Sequence, residues 1–374
     1  MQSQLIILLL LSIHASAQNE KFRKEKLSVP CTKELANNYQ GKWLITKDES
    51  NYNAEVKKRF RQFQELLLET YPQPTGGDAA WNGSFTKTSF ANQVKYEWNQ
   101  NQMFNEEPVK INTVHSYYYN LVIYPWYCCG TNEICNIYPE ISGGVGLSIH
   151  ANYLQKVIQG NYLREKGDQW TIDGRPVKIK NPVAGKLMGY DIMTSEGGPS
   201  VLPLMTTRII MITRNGILPY IPVTRKQYFD KTIPFVTKYY DDNIANTDQI
   251  TDTAYDQTYK EESKKALAKL KNDALKRLKD ELEKTTTAGL LDAPAVVRYD
   301  PLLQYEGPVF IAEEEGGNML VTENPDYFRK DLPNYVPQIF IVSWSWNNKP
   351  YGLRFKAAIE EKFPVEKLQA MIDK

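Results

Sequence analysis

The spacing of apolar positions changes period several times along the chain, and each change predicts a different element. Val56, Phe60, Phe63 and Leu67 recur at steps of four, three and four. That is one apolar stripe on a helix running from Asn53 to Thr70, stopped by Pro72 after Tyr71. The stretch that follows, from Tyr71 to Ser84, is rich in Pro and Gly and reads as loop. From Val109 the period falls to two. Val109, Ile111, His115, Tyr117, Tyr119, Leu121 and Ile123 share one face of an extended segment, long enough to require a bend or bulge.

Two turn signals come next. Asp173-Gly174 lies between Trp170, Ile172 and Val177, Ile179, and Asn215-Gly216 lies between two β-rich runs, so both predict hairpins. Pro219 and Pro222 in the second arm of the latter mark it as an edge strand. Thr224 with Gln227 forms the pattern of a capping box at a helix start. The polar run from Tyr240 to Gln257 reads as a linker. It leads into a helix over 259–284, with Leu267, Leu270, Ala274, Leu278 and Leu282 as its stripe and a charge-laced outer face. Near the C-terminus, Phe340, Val342, Trp344 and Trp346 share one face of a strand, which suits core positions better than sugar-stacking ones. A turn at Asn347 to Pro350, a return strand and two short helices complete the chain, the last helix opening with Pro364.

Strands and helices mix without a regular βαβ alternation, which predicts an α+β fold of mainly antiparallel sheets with flanking helices and one long charged amphipathic helix. The expected layout is a signal peptide over 1–17 and an N-terminal α+β region over 18–240, open to a subdomain split near 160. A linker and the long helix over 241–296 and a C-terminal α+β unit over 297–374 follow.

The N-terminus sets the compartment, and the compartment sets how cysteine is read. The run Leu5 to Ile13, about nine residues, is far shorter than the ~20 that span a bilayer. It precedes Ala15-Ser16-Ala17, a small-residue cleavage signal, so the expectation is a signal peptide cleaved after Ala17 and a secreted or periplasmic chain. No later stretch has the length and apolarity of a span. In an oxidising space Cys31, Cys128, Cys129 and Cys135 form an even set with three pairings open. A bridge between the neighbours Cys128 and Cys129 would strain its ring, so Cys31 is expected to reach one of the cluster and Cys135 to close the short loop with another. No C-x-x-C or C-x-x-H spacing supports zinc or a redox centre.

Charge and composition narrow the chemistry. Among 374 residues, 45 Lys and Arg stand against 44 Asp and Glu, which disfavours nucleic acid or an anionic membrane surface as a partner. Past the cleavage site only His115 and His150 remain, and His115 on an apolar strand face reads as a core histidine. There is no H-E-x-x-H, no G-x-S-x-G, no Walker A lysine, and Gly143 to Ser148 lacks the dinucleotide-binding spacing. Ser84 and Lys87 match S-x-x-K without its partner motifs. Asp241 onward places oxygens at some positions of a calcium loop, but Ala245 falls on a ligand position and glycine is missing from the turn, so a solvated linker is preferred. The acidic run Glu313 to Asn318 reads as a charged turn. No cofactor or metal is expected.

Tyrosine is the compositional excess, at 24 residues against 13 Phe and 7 Trp. Tyr117, Tyr118, Tyr119, Tyr124, Trp126 and Tyr127 are the candidate exposed platform for a ligand, since alternation turns some of them outward. The stretches RNGILPYIPVTRKQYF, NPDYFRKDLPNYVPQIFIVSW and KFPVEKLQAMIDK resemble secreted proteins of Bacteroidota-type bacteria over about the last half of the chain. That resemblance implies a Gram-negative envelope setting and carries no activity or site residue. Asp252-Thr253-Ala254 also resembles the short O-glycosylation signal of such bacteria. Together these readings point to a non-catalytic secreted or periplasmic module binding a polysaccharide or an envelope protein. One alternative is a glycan or peptidoglycan hydrolase, whose chemistry needs only two carboxylates across a cleft. The other is a structural protein of the envelope.

Overall fold

One strand shows how the molecule is layered. Along Ile339–Trp346, Phe340, Val342, Trp344 and Trp346 enter one core while Ile339 and Ile341 enter another, so both faces of this strand are buried. A sheet covered on both sides follows from that alternation. The computed structural model describes residues 25–44, 54–82, 117–128, 133–136, 145–154, 157–161, 164–165, 168–194, 205–214, 216–249, 257–298, 301–302, 307–329, 331–333 and 335–374.

Strands and helices are numbered in chain order. The first strands are β1 (Glu25–Lys26), β2 (Trp43–Leu44), β3 (Gly77–Asn82), β4 (Tyr117–Cys128), β5 (Glu133–Asn136) and β6 (Val145–Ala151). Next come β7 (Ile158–Asn161), β8 (Arg164–Glu165), β9 (Asp168–Gln169), β10 (Thr171–Ile172), β11 (Arg175–Pro176) and β12 (Lys178–Lys180). The rest are β13 (Val183–Leu187), β14 (Tyr190–Thr194), β15 (Thr206–Thr213), β16 (Tyr220–Pro222), β17 (Val296–Val297), β18 (Asn318–Glu323) and β19 (Ile339–Trp346). The helices are α1 (Lys33–Asn38), α2 (Ala54–Thr70), α3 (Arg225–Asp248), α4 (Gln257–Thr287), α5 (Pro350–Lys362) and α6 (Val365–Gln369).

The main sheet has ten strands, its spine running β1-β5-β4-β6-β19-β15-β14-β13 with β3 also on β4 and β2 on β3. All of its pairings are antiparallel except β2 with β3. A second sheet, β16-β18-β12-β7 with β17 on β18, is antiparallel throughout. The fold is α+β, as the sequence predicts.

Side-chain alternation orders these parts into layers. The first core joins α2, through Phe60, Phe63 and Leu67, and α5, through Phe355 and Ile359, to the face of the main sheet that carries Leu121, Leu147 and Val342. On the opposite face, Ile209 and Ile341 meet Val321 and Ile158 of the second sheet. The far side of that sheet carries Ile179 and Leu320 against Phe229, Phe235 and Leu278 of α3 and α4. The sequence of layers is therefore helices, ten strands, five strands, helices.

Several expected elements form where the periodicity places them. Helix α2 buries Val56, Phe60, Phe63 and Leu67. In α4, Ala274 and Leu278 are buried while Leu267, Leu270 and Leu282 pack at the margin of the same core. At Asp173 and Gly174 both φ values are positive, 52° and 73°, the signature of the type I′ turn that joins β10 to β11. Thr224 caps α3 with a complete capping box.

Four expectations are corrected. Residues 77–82, read as loop, form β3, because the free edge of β4 is there to pair with and Gly77 lets the two backbones approach. The run from Tyr240 to Asp248 continues α3 rather than serving as a linker; Tyr240 and Thr247 are buried, and Lys271 of α4 reaches Asp241 at 2.6 Å. Strands β15 and β16, expected as one hairpin around Asn215-Gly216, belong to different sheets. Both edges of β15 are already taken by β14 and β19, so the returning arm crosses to the second sheet, where it is indeed an edge strand. For the same reason no return strand follows β19: β6 and β15 occupy its edges, and Pro350 opens helix α5 instead.

Candidate functional site

The proposed aromatic platform dissolves into the core. Tyr117 and Tyr119 lie with Leu121 and Ile123 under α2, where Tyr117 stacks near Phe63 and Tyr119 near Phe60. Burial pushes the Tyr117 hydroxyl well above the usual tyrosine range, the opposite of an exposed stacking surface. Tyr124 and Trp126 point to the other face and are only 7% and 5% exposed, Trp126 lying 5.2 Å from the Tyr39 ring. Of these positions Tyr127 is exposed, and the side chain of Tyr118 lies outside the described residues. The reason is geometric: both alternating sets of β4 side chains have buried members, Tyr117, Tyr119, Leu121 and Ile123 under α2 and Tyr124 and Trp126 on the opposite face.

Cys31 and Cys128 form a disulfide across 97 positions of sequence. It holds α1 against the end of β4, with Leu27, Leu35, Tyr39 and Trp126 packed around it. Cys129 lies outside the described residues, and the backbone at Cys135 pairs with Tyr127 on β5. His115 is likewise outside them, whereas His150 is buried on β6 and stacks on Tyr153 at 4.9 Å.

A different place in the fold offers a binding geometry. Where the β13–β14 hairpin and the end of β15 overhang the second sheet, the seam between the two sheets opens into a cleft of about 670 Å³. That volume falls in the range of small-molecule sites, roughly 300–1,000 Å³. One wall continues the inter-sheet core outward through Met193 and Met211; the opposite wall is Lys180, Leu218 and Tyr220. Met188 lines the cleft and also borders a smaller acidic groove with Glu69, Glu360 and Glu366.

Lys180, Tyr190 and Gln369 of the cleft are held by hydrogen-bonding or charged partners. Lys180 is 4% exposed, and its Nζ sits 2.9 Å and 3.2 Å from the two carboxylate oxygens of Glu313, which a 3-10 turn at Glu313–Glu315 places there. The expected charged turn is thus also the anchor of a buried lysine. Burial first, then the negative charges of Glu313 and Asp191, push the Tyr220 hydroxyl up to about 12, so it stays a neutral donor at any ordinary pH. Tyr190 donates to Gln369 Oε1 at 3.1 Å, and Gln369 Nε2 donates in turn to the Thr213 carbonyl at 2.9 Å.

Backbone strain marks the hairpin tip. Met188 and Gly189 have φ of 53° and 84°, a two-residue turn between the paired Leu187 and Tyr190. Asn or Asp is the usual first residue of such a turn, and a long apolar side chain there is costly by about 1 kcal/mol or more. Contact with the first core offsets that cost. Sequence reasoning passed over Lys180, Met188, Met193, Met211, Tyr220 and Glu313. The one available signal was the Met-Gly turn between alternating residues, disguised because its first position is not Asn or Asp.

Comparison of the chain with known family models, with curated proteins and with solved structures returns no match.

Proposed function

We propose that this chain is a non-catalytic binding protein of the secreted or periplasmic space, and that it takes its ligand in the cleft between the two sheets. The observation that carries the reading is the cleft itself, a concave, largely pre-formed site with side chains fixed by their own partners. The oxidising setting is supported by the Cys31–Cys128 bridge, a bond that persists in such compartments. The hydrolase reading loses ground in the neighbouring acidic groove. There Glu360 is engaged by Arg208 at 2.6 Å and by Trp344 Nε1 at 3.2 Å, and Glu69 by Lys367 at 2.6 Å. Glu360, largely buried and held by two partners, is thereby engaged in the fold, while Glu69 lies in an exposed surface pair.

The test pairs binding with turnover. The full chain is incubated with peptidoglycan, with envelope polysaccharides and with an organic extract of bacterial envelopes, and both thermal stability and soluble products are measured. The expected result is a rise of a few degrees in the unfolding midpoint with one fraction, as saturating ligand gives by mass action, and no released fragments. Fragments released from any polymer would overturn the reading in favour of hydrolysis, and an unchanged midpoint across all fractions would remove its support.

A further inference from the structure

The charges at this cleft cancel. Lys180 is matched by Glu313 at 2.9 Å, and Lys186, the other lysine of the lining, lies 3.5 Å from Asp191. A charged ligand at the inner end would have to compete with the Lys180–Glu313 pair, whose side chains are 5% and 17% exposed, and disrupting a pair so desolvated is expensive, whereas the Lys186–Asp191 pair is open to water and resists little. Beside the paired charges and the polar groups of Thr213 and Gln369, the cleft offers thioethers, tyrosine rings and aliphatic carbons. Three methionines contribute, at positions 188, 193 and 211, and methionine adapts its shape to irregular apolar ligands.

A second, independent observation lies at the mouth. Val183 and Leu218 line the cleft while remaining 36% and 39% exposed, and Ile217, next in the chain, is 49% exposed. Large aliphatic side chains gathered in the open beside a concavity mark a surface that something apolar covers. Beside the paired charges of Lys180, Lys186 and Asp191, the uncharged polar groups are Tyr220, kept neutral, and Tyr190, oriented by Gln369.

From this geometry we infer that the cleft binds an uncharged, mainly apolar small ligand, an acyl chain or aromatic ring bearing at most a neutral hydroxyl or amide at the Lys180 and Tyr220 end. This rests on the reading that the cleft is the binding site. The ligand's body lies along Met193 and Met211, and Leu218 closes over it.

The test uses two neutral probes on the full chain, N-phenyl-1-naphthylamine as the apolar one and a chitin hexamer as the hydrophilic one. Leu218→Arg places a charge in the lining at a position exposed enough to keep the fold; Leu290→Arg, at an exposed site not among the cleft's lining residues, is the control. The naphthylamine is expected to bind in the micromolar range, to weaken about tenfold or more in L218R, and to be unchanged in L290R. Raising salt from low to high should leave its affinity within about twofold, because no counterions are displaced. Binding of the hexamer alone, weakened by L218R, would overturn the ligand class while leaving the cleft as the site. Naphthylamine bound equally by wild type and L218R would overturn the site. Binding of neither probe would overturn this inference and weaken the reading beneath it. Should L218R fail to fold, Val183→Arg on the facing hairpin takes its place.

Discussion

Single residues already carry much of what the sequence can say. Thr224 and Gln227 were legible because a capping box is a local device needing no distant partner, and both of its hydrogen bonds form, at 3.1 Å and 2.9 Å. Thr224→Ala should therefore cost about 1 kcal/mol in a urea titration with little change in slope. Buried tyrosines are a different matter, since nothing in a tyrosine-rich composition says which of them reach the core. Tyr327 is fully buried and donates to the Gln338 carbonyl at 2.8 Å, and burial raises its hydroxyl to about 12 against a tyrosine value near 10. Tyr220 is raised to about the same value. A raised pKa means that the folded state holds its proton longer than the unfolded chain does. The stability these two groups contribute is then complete below pH 10 and is lost as pH climbs from 10 towards 12. Tyr327→Phe should lower neutral-pH stability by about 1 kcal/mol and flatten that alkaline decline. A decline equally steep in the variant would show that other groups cause it.

At the level of elements, the readings that succeeded depend on short-range period and those that failed depend on who the neighbour is. The stripes of α2 and α4 repeat every three or four residues and are visible without any partner. Leu278, fully buried in the α4 stripe, tests the packing they imply: Leu278→Ala should cost about 2–5 kcal/mol, measured by denaturant unfolding. Whether a strand turns back on itself is decided by whether its edge is vacant. Both missed hairpins followed a strand already paired on both sides, and no local signal records that occupancy. The binding cleft was hidden for a related reason, because its walls come from β12, β15, β16 and a hairpin whose turn begins with Met188. The disulfide was half legible: the reach of Cys31 to the cluster followed from spacing and compartment, while the choice of Cys128 needed the packing of α1 on β4. Closing a loop of 97 residues makes the bridge worth about 4–5 kcal/mol by loop entropy, with measured removals nearer 2–5. Cys31→Ser should lose stability in that range and expose α1 to proteolysis near Lys33, whereas an unchanged midpoint would mean that strand pairing alone holds the segment.

Across the whole molecule, the arrangement is dominated by contacts between distant parts of the chain. Strand β19 sits between β6 and β15 and supplies the cores on both faces of the main sheet, so α2, α5 and the second sheet depend on it together. Amides of β6, β15 and β19 should accordingly exchange with deuterium only through global unfolding, while those of the edge strand β13 exchange by local opening. Exchange of β19 ahead of β4 would contradict that order. The edge strand β13 carries two features that discourage pairing with a further strand, a register shift between Val183 and Gly185 and an exposed Lys186.

The position of β19 also has a bearing on time. A ribosome delivers β6 and β15 well before β19, and until then the two face each other across a gap that nothing else in the described chain fills. Folding cannot run ahead of synthesis in such an order, since the main sheet closes only when a segment beyond residue 338 has emerged. If export under the proposed route begins before residue 339 has been made, the chain meets its translocation pore with the main sheet still open and completes that sheet on the far side.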